Sequence, residues 1–246
     1  MMRSTAVILI LVLLPGLLMA DTQSSDYELV ILMHGLARTA DSMQPMAERL
    51  EASGYQTINI DYPSRTAVVP DLVESHLLPV MSTEQVRAAQ KVHFVTHSMG
   101  GIMVRQYLSQ HRPTNLGRVV MLSPPNQGSE VVDKLGSWAA FDWVNGPAGQ
   151  QLGTGKNSLP LSLPAADFDL GVIAGNQSVN LMLSRLIPGE DDGKVSVERA
   201  KLQGMKDFLV VPHSHPFIMS RDPVMKQTLY YLKKGQFDKA STKGDI

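Results

Sequence analysis

The sequence contains no cysteine, which excludes a disulfide framework, a thiolate nucleophile and a cysteine-ligated zinc site. It also lacks an excess of either charge, because 22 Lys and Arg residues face 23 Asp and Glu residues in 246 positions. The formal net charge of −1 argues against a nucleic-acid binder that works by bulk charge and against a polybasic membrane-surface protein. Glycine and proline, with 19 and 15 residues, are close to average usage, so the composition indicates an ordinary globular protein.

The first twenty residues differ in character from the rest of the chain. Arg3 is the one charged residue among them, an apolar run covers residues 6–14, and the small residue Ala20 precedes a polar segment. This order is typical of a secretory signal peptide, and the apolar run is shorter than the ~20 residues that a membrane helix needs. We therefore predict a signal peptide at residues 1–20, with an uncleaved N-terminal anchor as the alternative. Residues 21–246 would then form an exported domain, periplasmic or secreted.

Short apolar runs alternate with amphipathic segments along the rest of the chain. The runs predict six strands, at residues 27–33, 55–60, 92–96, 118–122, 170–174 and 208–211. The amphipathic segments predict helices, at residues 41–52, 70–90 (with a break near Pro79), 98–111, 129–135 and 216–232. Such alternation predicts the α/β class, with a mostly parallel six-stranded sheet that carries helices on both faces. In sheets of this kind the functional site lies beyond the carboxyl ends of the strands.

The third predicted strand runs directly into a helix through residues 96–101 (THSMGG), with Ser98 at the junction. A tight turn there would lift the serine hydroxyl above the sheet, and small flanking residues would let strand and helix approach each other. The segment resembles the nucleophile elbow of the α/β-hydrolase family, particularly its lipase and esterase branch. It departs from the family pattern G-x-S-x-G at Thr96, the first position. The resemblance implies that Ser98 is a nucleophile, whereas a purely structural alternative would make it a helix N-cap.

The first predicted strand ends in His34-Gly35-Leu36, which resembles the oxyanion loop of the same family. The resemblance implies that the backbone N–H groups of Leu36 and Met99 would bind the anionic oxygen that forms when a serine attacks a carbonyl group. Loss of one such donor typically costs about 3 kcal/mol of barrier. In the alternative interpretation, His34 and Gly35 only end the strand in a turn.

A serine hydroxyl needs a base that removes its proton as it attacks. Of the seven histidines, only His213 and His215 directly follow the last predicted strand, where the family has its base. Residues 210–219 (VVPHSHPFIM) resemble the family pattern of a strand, a short loop and a histidine before a helix. The resemblance implies that His215 is the base, with His213 as the alternative.

The acid of such a triad lies between the nucleophile and the base along the chain. Residues 188–195 (PGEDDGKV) resemble the Asp-Gly-x-Val loop of the family, which implies that Asp192 is the acid, with Asp191 as the fallback. A carboxylate at that position would hold the imidazole in the required tautomer. Adjacent acidic residues could suggest calcium, but the ligand spacing is missing, so we predict neither a metal nor a cofactor.

Residues 124–168 follow the fourth predicted strand, where this fold inserts a lid or cap. The region contains apolar residues that either line an acyl pocket or cover the edge of the sheet, namely Trp138, Phe141, Trp143, Leu159, Leu161 and Leu163. Ser129 in the same region is expected to cap a helix rather than to compete with Ser98 as nucleophile.

The resembling segments occur in the order that the family requires, each at the end of a predicted strand. Together they predict a serine hydrolase of carboxylic esters, esterase- or lipase-like, that forms an acyl-enzyme intermediate. Its expected partners are small-molecule or lipid esters and, transiently, a membrane or lipid surface, but not nucleic acid. Thioesterases and acyltransferases use the same triad and stay open as alternatives. A further alternative is an exported binding protein that keeps the hydrolase fold without catalysis.

Overall fold

The computed structural model describes residues 25–136 and 139–240, with residues 139–144 described by their backbone. The predicted signal peptide at residues 1–20 lies outside the described residues, as does Trp138. Within the described residues, no helix is both long and apolar enough to traverse a bilayer.

One sheet of six strands forms the centre of the molecule, and every neighbouring pair of strands is parallel. Its strands are β1 (Ser25–Met33), β2 (Gln56–Ile60), β3 (Ala89–His97), β4 (Leu116–Leu122), β5 (Leu170–Gly175) and β6 (Asp207–Val211). They lie in the order β2-β1-β3-β4-β5-β6. This arrangement confirms the predicted fold class, and all six predicted strands exist with ends that differ by up to three residues.

The continuous apolar runs exist because both faces of the sheet are covered. In β1, every side chain from Leu29 to Met33 is fully buried. Since successive side chains of a strand point to opposite faces, Leu29, Ile31 and Met33 pack in one core cluster, and Val30 and Leu32 pack in another. Helices cover both clusters, as predicted.

The helices are α1 (Gln44–Glu51), α2 (Val69–Leu72), α3 (Leu78–Met81), α4 (Glu84–Ala88), α5 (Met99–Gln110), α6 (Glu130–Leu135), α7 (Ala139–Gln150), α8 (Leu159–Ser162), α9 (Leu181–Ser184), α10 (Val197–Ala200) and α11 (Asp222–Lys234). Helices α1 and α11 supply buried residues to the cluster on one face of the sheet, and α2 and α5 supply residues to the other.

Two predicted helices differ from the structure. The segment 70–90, predicted as mostly helical with a break near Pro79, is a series of short helical turns, with a π-helical turn at Val73–Leu77 between α2 and α3. Its last two residues already belong to β3, which begins at Ala89. The helix predicted from residue 216 begins only at Asp222, because a loop and a 3₁₀ turn at Ile218–Ser220 come first. Pro223 then occupies the first turn of α11, a position that suits proline.

Candidate active site

The candidate site lies where the order of strands in the sheet reverses. From β1 the chain passes to β2 on one side and then returns to β3 on the other side of β1. The loops that leave β1 and β3 therefore diverge, and they open a crevice at the carboxyl edge of the sheet. The oxyanion-like segment follows β1, and Ser98 directly follows β3.

Ser98 forms a strained turn between β3 and α5. Its backbone has φ 52° and ψ −123°, a conformation that residues with a side chain rarely adopt. Its N–H donates to the carbonyl of Leu122 at 2.9 Å, and its carbonyl accepts from the N–H of Gly101 at 3.0 Å. The Ser98 side chain makes no capping hydrogen bond to α5, so the N-cap alternative does not describe its hydroxyl.

Glycines let this turn approach the end of β1. A Cβ atom at Gly100 would lie 2.6 Å from the carbonyl oxygen of Met33 and 2.8 Å from that of His34. A Cβ atom at Gly35 would lie 3.0 Å from Cβ of Ser98. The small residues beside Ser98 are therefore required by the close contact between the start of α5 and the end of β1.

The structure brings the three predicted side chains of the triad together. The hydroxyl Oγ of Ser98 lies 3.0 Å from Nε2 of His215, and Nδ1 of His215 lies 2.8 Å from Oδ2 of Asp192. Along the chain, 117 positions separate Ser98 from His215, and 23 positions separate Asp192 from His215. All three residues are buried. Since a carboxylate can only accept, Nδ1 carries the proton, and Nε2 is free to accept the proton of Ser98.

Asp192 is held as a carboxylate by the loop around it. Its Oδ1 accepts from the backbone N–H groups of Lys194 at 3.0 Å and Val195 at 2.9 Å. Burial alone would raise the pKa of Asp192, but attraction by His215 and the hydrogen bonds from His215, Ser123 and Val195 outweigh it and lower the pKa. The loop therefore stabilises the negative charge that faces His215.

The two alternative residues occupy other positions. Asp191 is buried, and its Oδ1 accepts from the hydroxyl of Ser184 and from the N–H of Gly193, each at 2.7 Å. It shapes the loop and makes no described contact with His215. His213 does not line the cavity beside Ser98, and burial and the charge of Arg221 lower its pKa.

The oxyanion-like loop is fixed through His34, whose ring is fully buried. The ring stacks on Tyr62 with 3.9 Å between centroids, and its Nε2 accepts from the Tyr62 N–H at 3.3 Å. The Tyr62 hydroxyl donates to the carbonyl oxygen of His34. The next turn is held by Ala37, whose N–H donates to the Ser64 hydroxyl at 3.0 Å. Between these two anchors lies Leu36, which lines the cavity beside Ser98.

Met99 is the first residue of α5 and directly follows Ser98. The first N–H groups of a helix have no partner within the helix and point out of its N-terminus. The backbone N–H of Met99 therefore belongs to a set of donors at the end of α5 beside Ser98. Its side chain is fully buried in the core and takes no part in the site.

A cavity of about 360 Å³ opens beside Ser98 and His215. Most of its wall is apolar, and the apolar residues are Leu36, Pro125, Val131, Val132, Leu135, Leu152, Val179, Leu183, Val195 and Pro216. Two cations, Arg38 and Lys194, also line it. No sequence motif marks these two, and the sequence analysis did not single them out.

Among the described side chains, the region 124–168 contributes to this wall through residues that were not proposed from the sequence. Val131, Val132, Leu135 and Leu152 line the cavity. Leu159 and Leu163 instead pack against the core of the sheet, while Leu161 is 40% exposed. The side chains of Phe141 and Trp143 lie outside the described part of the chain, as does Trp138.

Ser129 precedes α6 as predicted, but its side chain does not cap the helix. Its hydroxyl donates to the carbonyl of Lys194 at 2.6 Å. The expectation of a capping role is therefore wrong, and Ser129 instead ties residues 124–168 to the loop that carries Asp192. Both Ser129 and Lys194 line the cavity.

Residues 124–168 are also tied to α5 by the side chain of Arg105, which is buried. Its guanidinium donates to the carbonyl groups of Asn126 at 2.9 Å, Pro160 at 3.0 Å and Leu163 at 3.2 Å. Burial lowers the pKa of Arg105 to about 10. Arg105 thus provides hydrogen-bond donors to carbonyl groups in the loop after β4, in α8 and directly after α8. Among the described residues, no three His, Asp or Glu side chains lie close enough to hold a metal ion.

Comparison with known proteins places this geometry in a family. The family model described as Hydrolase_4, serine aminopeptidase S33, matches residues 25–163, more than half of the chain. No curated protein is significantly similar in sequence.

Solved structures share the fold. The mature lipase BlEst2 of Bacillus licheniformis superposes with a TM-score of 0.65 at 22% identity over 82% of this chain and 91% of that one. A metagenomic carboxyl esterase gives 0.66 at 17% identity over 87% and 77%. Phospholipase PlaB from Legionella pneumophila gives 0.58 at 20% identity over 71% and 45%. With the parallel sheet, the nucleophile-type turn and the matched family model, the chain belongs to the α/β-hydrolase family described as serine aminopeptidase S33.

Proposed function

We propose that the protein hydrolyses carboxylic esters through a triad of Ser98, His215 and Asp192 and an acyl-enzyme intermediate. The proposal rests above all on the chain of contacts from Ser98 Oγ to His215 Nε2 at 3.0 Å and from His215 Nδ1 to Asp192 Oδ2 at 2.8 Å. The strained turn at Ser98 supports it, because backbone strain of this kind concentrates at functional sites.

In the first half of the reaction, Ser98 Oγ attacks the carbonyl carbon of the ester as His215 Nε2 takes the hydroxyl proton. The carbonyl oxygen becomes anionic, and the backbone N–H groups of Leu36 and Met99 donate hydrogen bonds to it. The tetrahedral intermediate then collapses, the bond to the alcohol oxygen breaks, and His215 gives its proton to that oxygen. Asp192 stabilises the imidazolium while it exists.

In the second half, water replaces the alcohol. His215 removes a proton from water, the hydroxide oxygen attacks the acyl carbon, and the bond to Ser98 Oγ breaks as His215 returns the proton to that oxygen. The products are a carboxylic acid and the free enzyme. The mostly apolar wall around the acyl group limits access of bulk water and accommodates a hydrophobic acyl chain.

The charges of the cavity favour an ester over the N-terminus of a peptide. An aminopeptidase substrate carries an ammonium group, which acidic side chains bind. Among the described residues that line the cavity, Asp192 is the one acid, and it already bonds His215. Arg38 and Lys194 would repel an ammonium group there. The structural neighbours, named as a lipase, a carboxyl esterase and a phospholipase, also support an ester substrate.

An apolar lip beside the cavity supports transient contact with a lipid surface. Val179, Leu181 and Met182 are 68%, 71% and 79% exposed, and Val179 also lines the cavity. Exposure of three large apolar side chains to water within four residues is unfavourable, and their insertion into lipid would remove this apolar surface from water. We propose that this lip, residues 179–182, touches the lipid phase that presents the ester.

We also propose export, on the strength of the N-terminal pattern at residues 1–20. The intact mass of the protein recovered from the periplasm or culture medium of an expressing host tests this proposal. A mass that lacks residues 1–20 is expected, and a mass that includes them would leave the anchor alternative.

A fluorophosphonate probe tests the nucleophile. We expect the wild type to be labelled and Ser98→Ala to be unlabelled, whereas an unreactive wild type would indicate a binding protein without catalysis. His215→Ala should lower turnover by several orders of magnitude, and its matched control His213→Ala should keep most activity. Rates on butyryl nitrophenyl ester and butyryl thioester, with and without an alcohol acceptor, separate esterase from thioesterase and acyltransferase activity.

A further inference from the structure

Two cations lie at the cavity without a carboxylate partner. Arg38 and Lys194 both line the cavity together with Ser98 and His215. The Arg38 guanidinium donates to the carbonyl of Pro216 at 3.0 Å, and within the described residues neither side chain forms an ion pair. Charged side chains that line a cavity without a partner are candidates for ligand recognition.

The two charges are close enough to influence each other and the site. Although Lys194 as a whole is exposed, partial burial of its side chain against the cavity lowers its pKa, the nearby charge of Arg38 lowers it further, and Asp192 acts in the opposite direction. Both cations also contribute to the low pKa of His97. Since Asp192 is committed to His215, an anion from outside would relieve the repulsion between the two cations.

The positions of the cations indicate which part of a substrate they would meet. Arg38 contacts Pro216, the residue after His215, and Lys194 lies two residues after Asp192. His215 donates its proton to the departing alcohol, so the alcohol part of the ester lies on the side of His215. We expect the acyl part to lie along the apolar wall, where residues 124–168 supply five of the ten apolar residues, Pro125, Val131, Val132, Leu135 and Leu152.

We propose that Arg38 and Lys194 bind an anionic group, a carboxylate or a phosphate, on the alcohol part of the ester substrate. The inference rests on the proposed ester hydrolysis and names the substrate class of the same site. The forked guanidinium of Arg38 can donate parallel hydrogen bonds to two oxygen atoms of such a group. Lys194 adds a compact positive charge at the end of a flexible side chain.

Two butyrate esters of matched shape test the proposal, 4-carboxyphenyl butyrate and 4-carbamoylphenyl butyrate. Their leaving groups differ in charge but hardly in size. We expect the wild type to prefer the carboxylate by about tenfold in kcat/KM. The ratio should fall to about 2 or below in the double variant Arg38→Gln/Lys194→Gln. It should also shrink as sodium chloride rises, because salt screens partly exposed charges.

Single variants keep the test informative if the double variant folds poorly. Lys194→Gln removes a side chain on the exposed side of the cavity, and Arg38→Lys keeps a positive charge without the fork. Lys206→Gln is the control, because it removes the same charge immediately before β6, at the opposite edge of the sheet. The control should keep the wild-type ratio.

A second arm presents phosphate. It compares 1-butyrylglycerol 3-phosphate with 1-butyrylglycerol in solution, and then a long-chain lysophosphatidate in micelles. Loss of preference in the double variant for the soluble phosphate ester supports the proposal. Dependence on the cations in micelles alone would place them against a lipid surface and overturn it.

The results separate this inference from the proposed function. The anion site is overturned, while ester hydrolysis stands, if the wild type prefers neither the carboxylate over the carboxamide nor the soluble phosphate ester over its neutral partner, or if the double variant leaves these preferences unchanged. If the wild type hydrolyses neither ester and resists the fluorophosphonate probe, the proposed function fails, and with it the anion site.

Discussion

His97 donates a hydrogen bond from Nε2 to the backbone carbonyl oxygen of His215, with 3.0 Å between the two atoms. The ring centroids of these histidines lie 4.8 Å apart. Nδ1 of His97 is buried and has no hydrogen-bond partner among the described residues. The residue before Ser98 thus holds the backbone of His215, which the sequence pattern did not indicate.

This arrangement predicts how stability depends on pH. Burial, followed by the charges of His215 and Arg38, lowers the pKa of His97 well below 6.5. Below pH 6.5 the unfolded chain therefore binds a proton that the folded chain rejects, and stability falls as the pH drops toward the folded-state pKa. His34 and His93, whose pKa values burial also lowers, act in the same direction.

We expect urea midpoints at pH 7.5 to exceed those at pH 5.5, with a smaller difference in His97→Gln. Glutamine has no proton to gain, and its amide can still donate to the His215 carbonyl. The variant should therefore retain more activity than His97→Leu, which lacks the donor. An unchanged pH dependence in His97→Gln would show that His97 does not contribute to acid unfolding.

Asp192 and Asp191 form a matched pair of buried carboxylates with different contacts. Asp192→Asn should lower kcat by about 10³- to 10⁴-fold, because an amide cannot hold the imidazole in the required tautomer. Asp191→Asn should lower stability by about 1 to 3 kcal/mol through its bonds to Ser184 and Gly193, with less than about tenfold loss of kcat. Rates are normalised to the folded fraction of each variant, measured by circular dichroism under the assay conditions, because fluorophosphonate labelling itself depends on the acid. The opposite pattern would assign the acid to Asp191.

The fold was predictable because its strands are buried on both faces, which leaves uninterrupted apolar runs such as Leu29–Met33. The boundaries were less predictable. Apolar periodicity continues through residues 70–90 although the backbone divides there into short turns. The last helix begins late because Pro223, rather than the apolar residues at 217–219, sets its first turn.

In the candidate site, residues that share a motif could be selected from the sequence, whereas residues that meet only in space could not. Ser98 and His215 each lie in a local pattern just after a strand, and Asp192 lies in a local pattern of the loop between β5 and β6. Arg38 and Lys194 reach the cavity from separate loops, and nothing local to either residue encodes their proximity. The contact of Ser129 with the Lys194 carbonyl likewise depends on packing over 65 positions of sequence.

The approach of α5 to β1 predicts a severe effect at Gly100. Alanine would place a Cβ atom 2.6 Å from the Met33 carbonyl oxygen, a contact that requires the backbone to shift. We expect Gly100→Ala to lower the free energy of unfolding by about 2 to 3 kcal/mol and to disturb the Ser98 turn. Gly155→Ala is the control, because nothing lies within 4 Å of its added Cβ. Equal urea midpoints for the two variants would contradict the close approach.

The apolar lip predicts a dependence on how the ester is presented. Leu181 and Met182 are exposed and are not among the residues that line the cavity, so substitutions there test the proposed lipid contact without changing the cavity wall. In Leu181→Ser/Met182→Ser, the ratio of the rate on emulsified tributyrin to the rate on dissolved nitrophenyl butyrate should fall about five- to tenfold, because less apolar surface is buried on adsorption. Leu161→Ser serves as the control and should keep the ratio. Leu161 is exposed on α8 and is not among the residues that line the cavity. If both variants lower the ratio equally, adsorption depends on general surface hydrophobicity rather than on the lip.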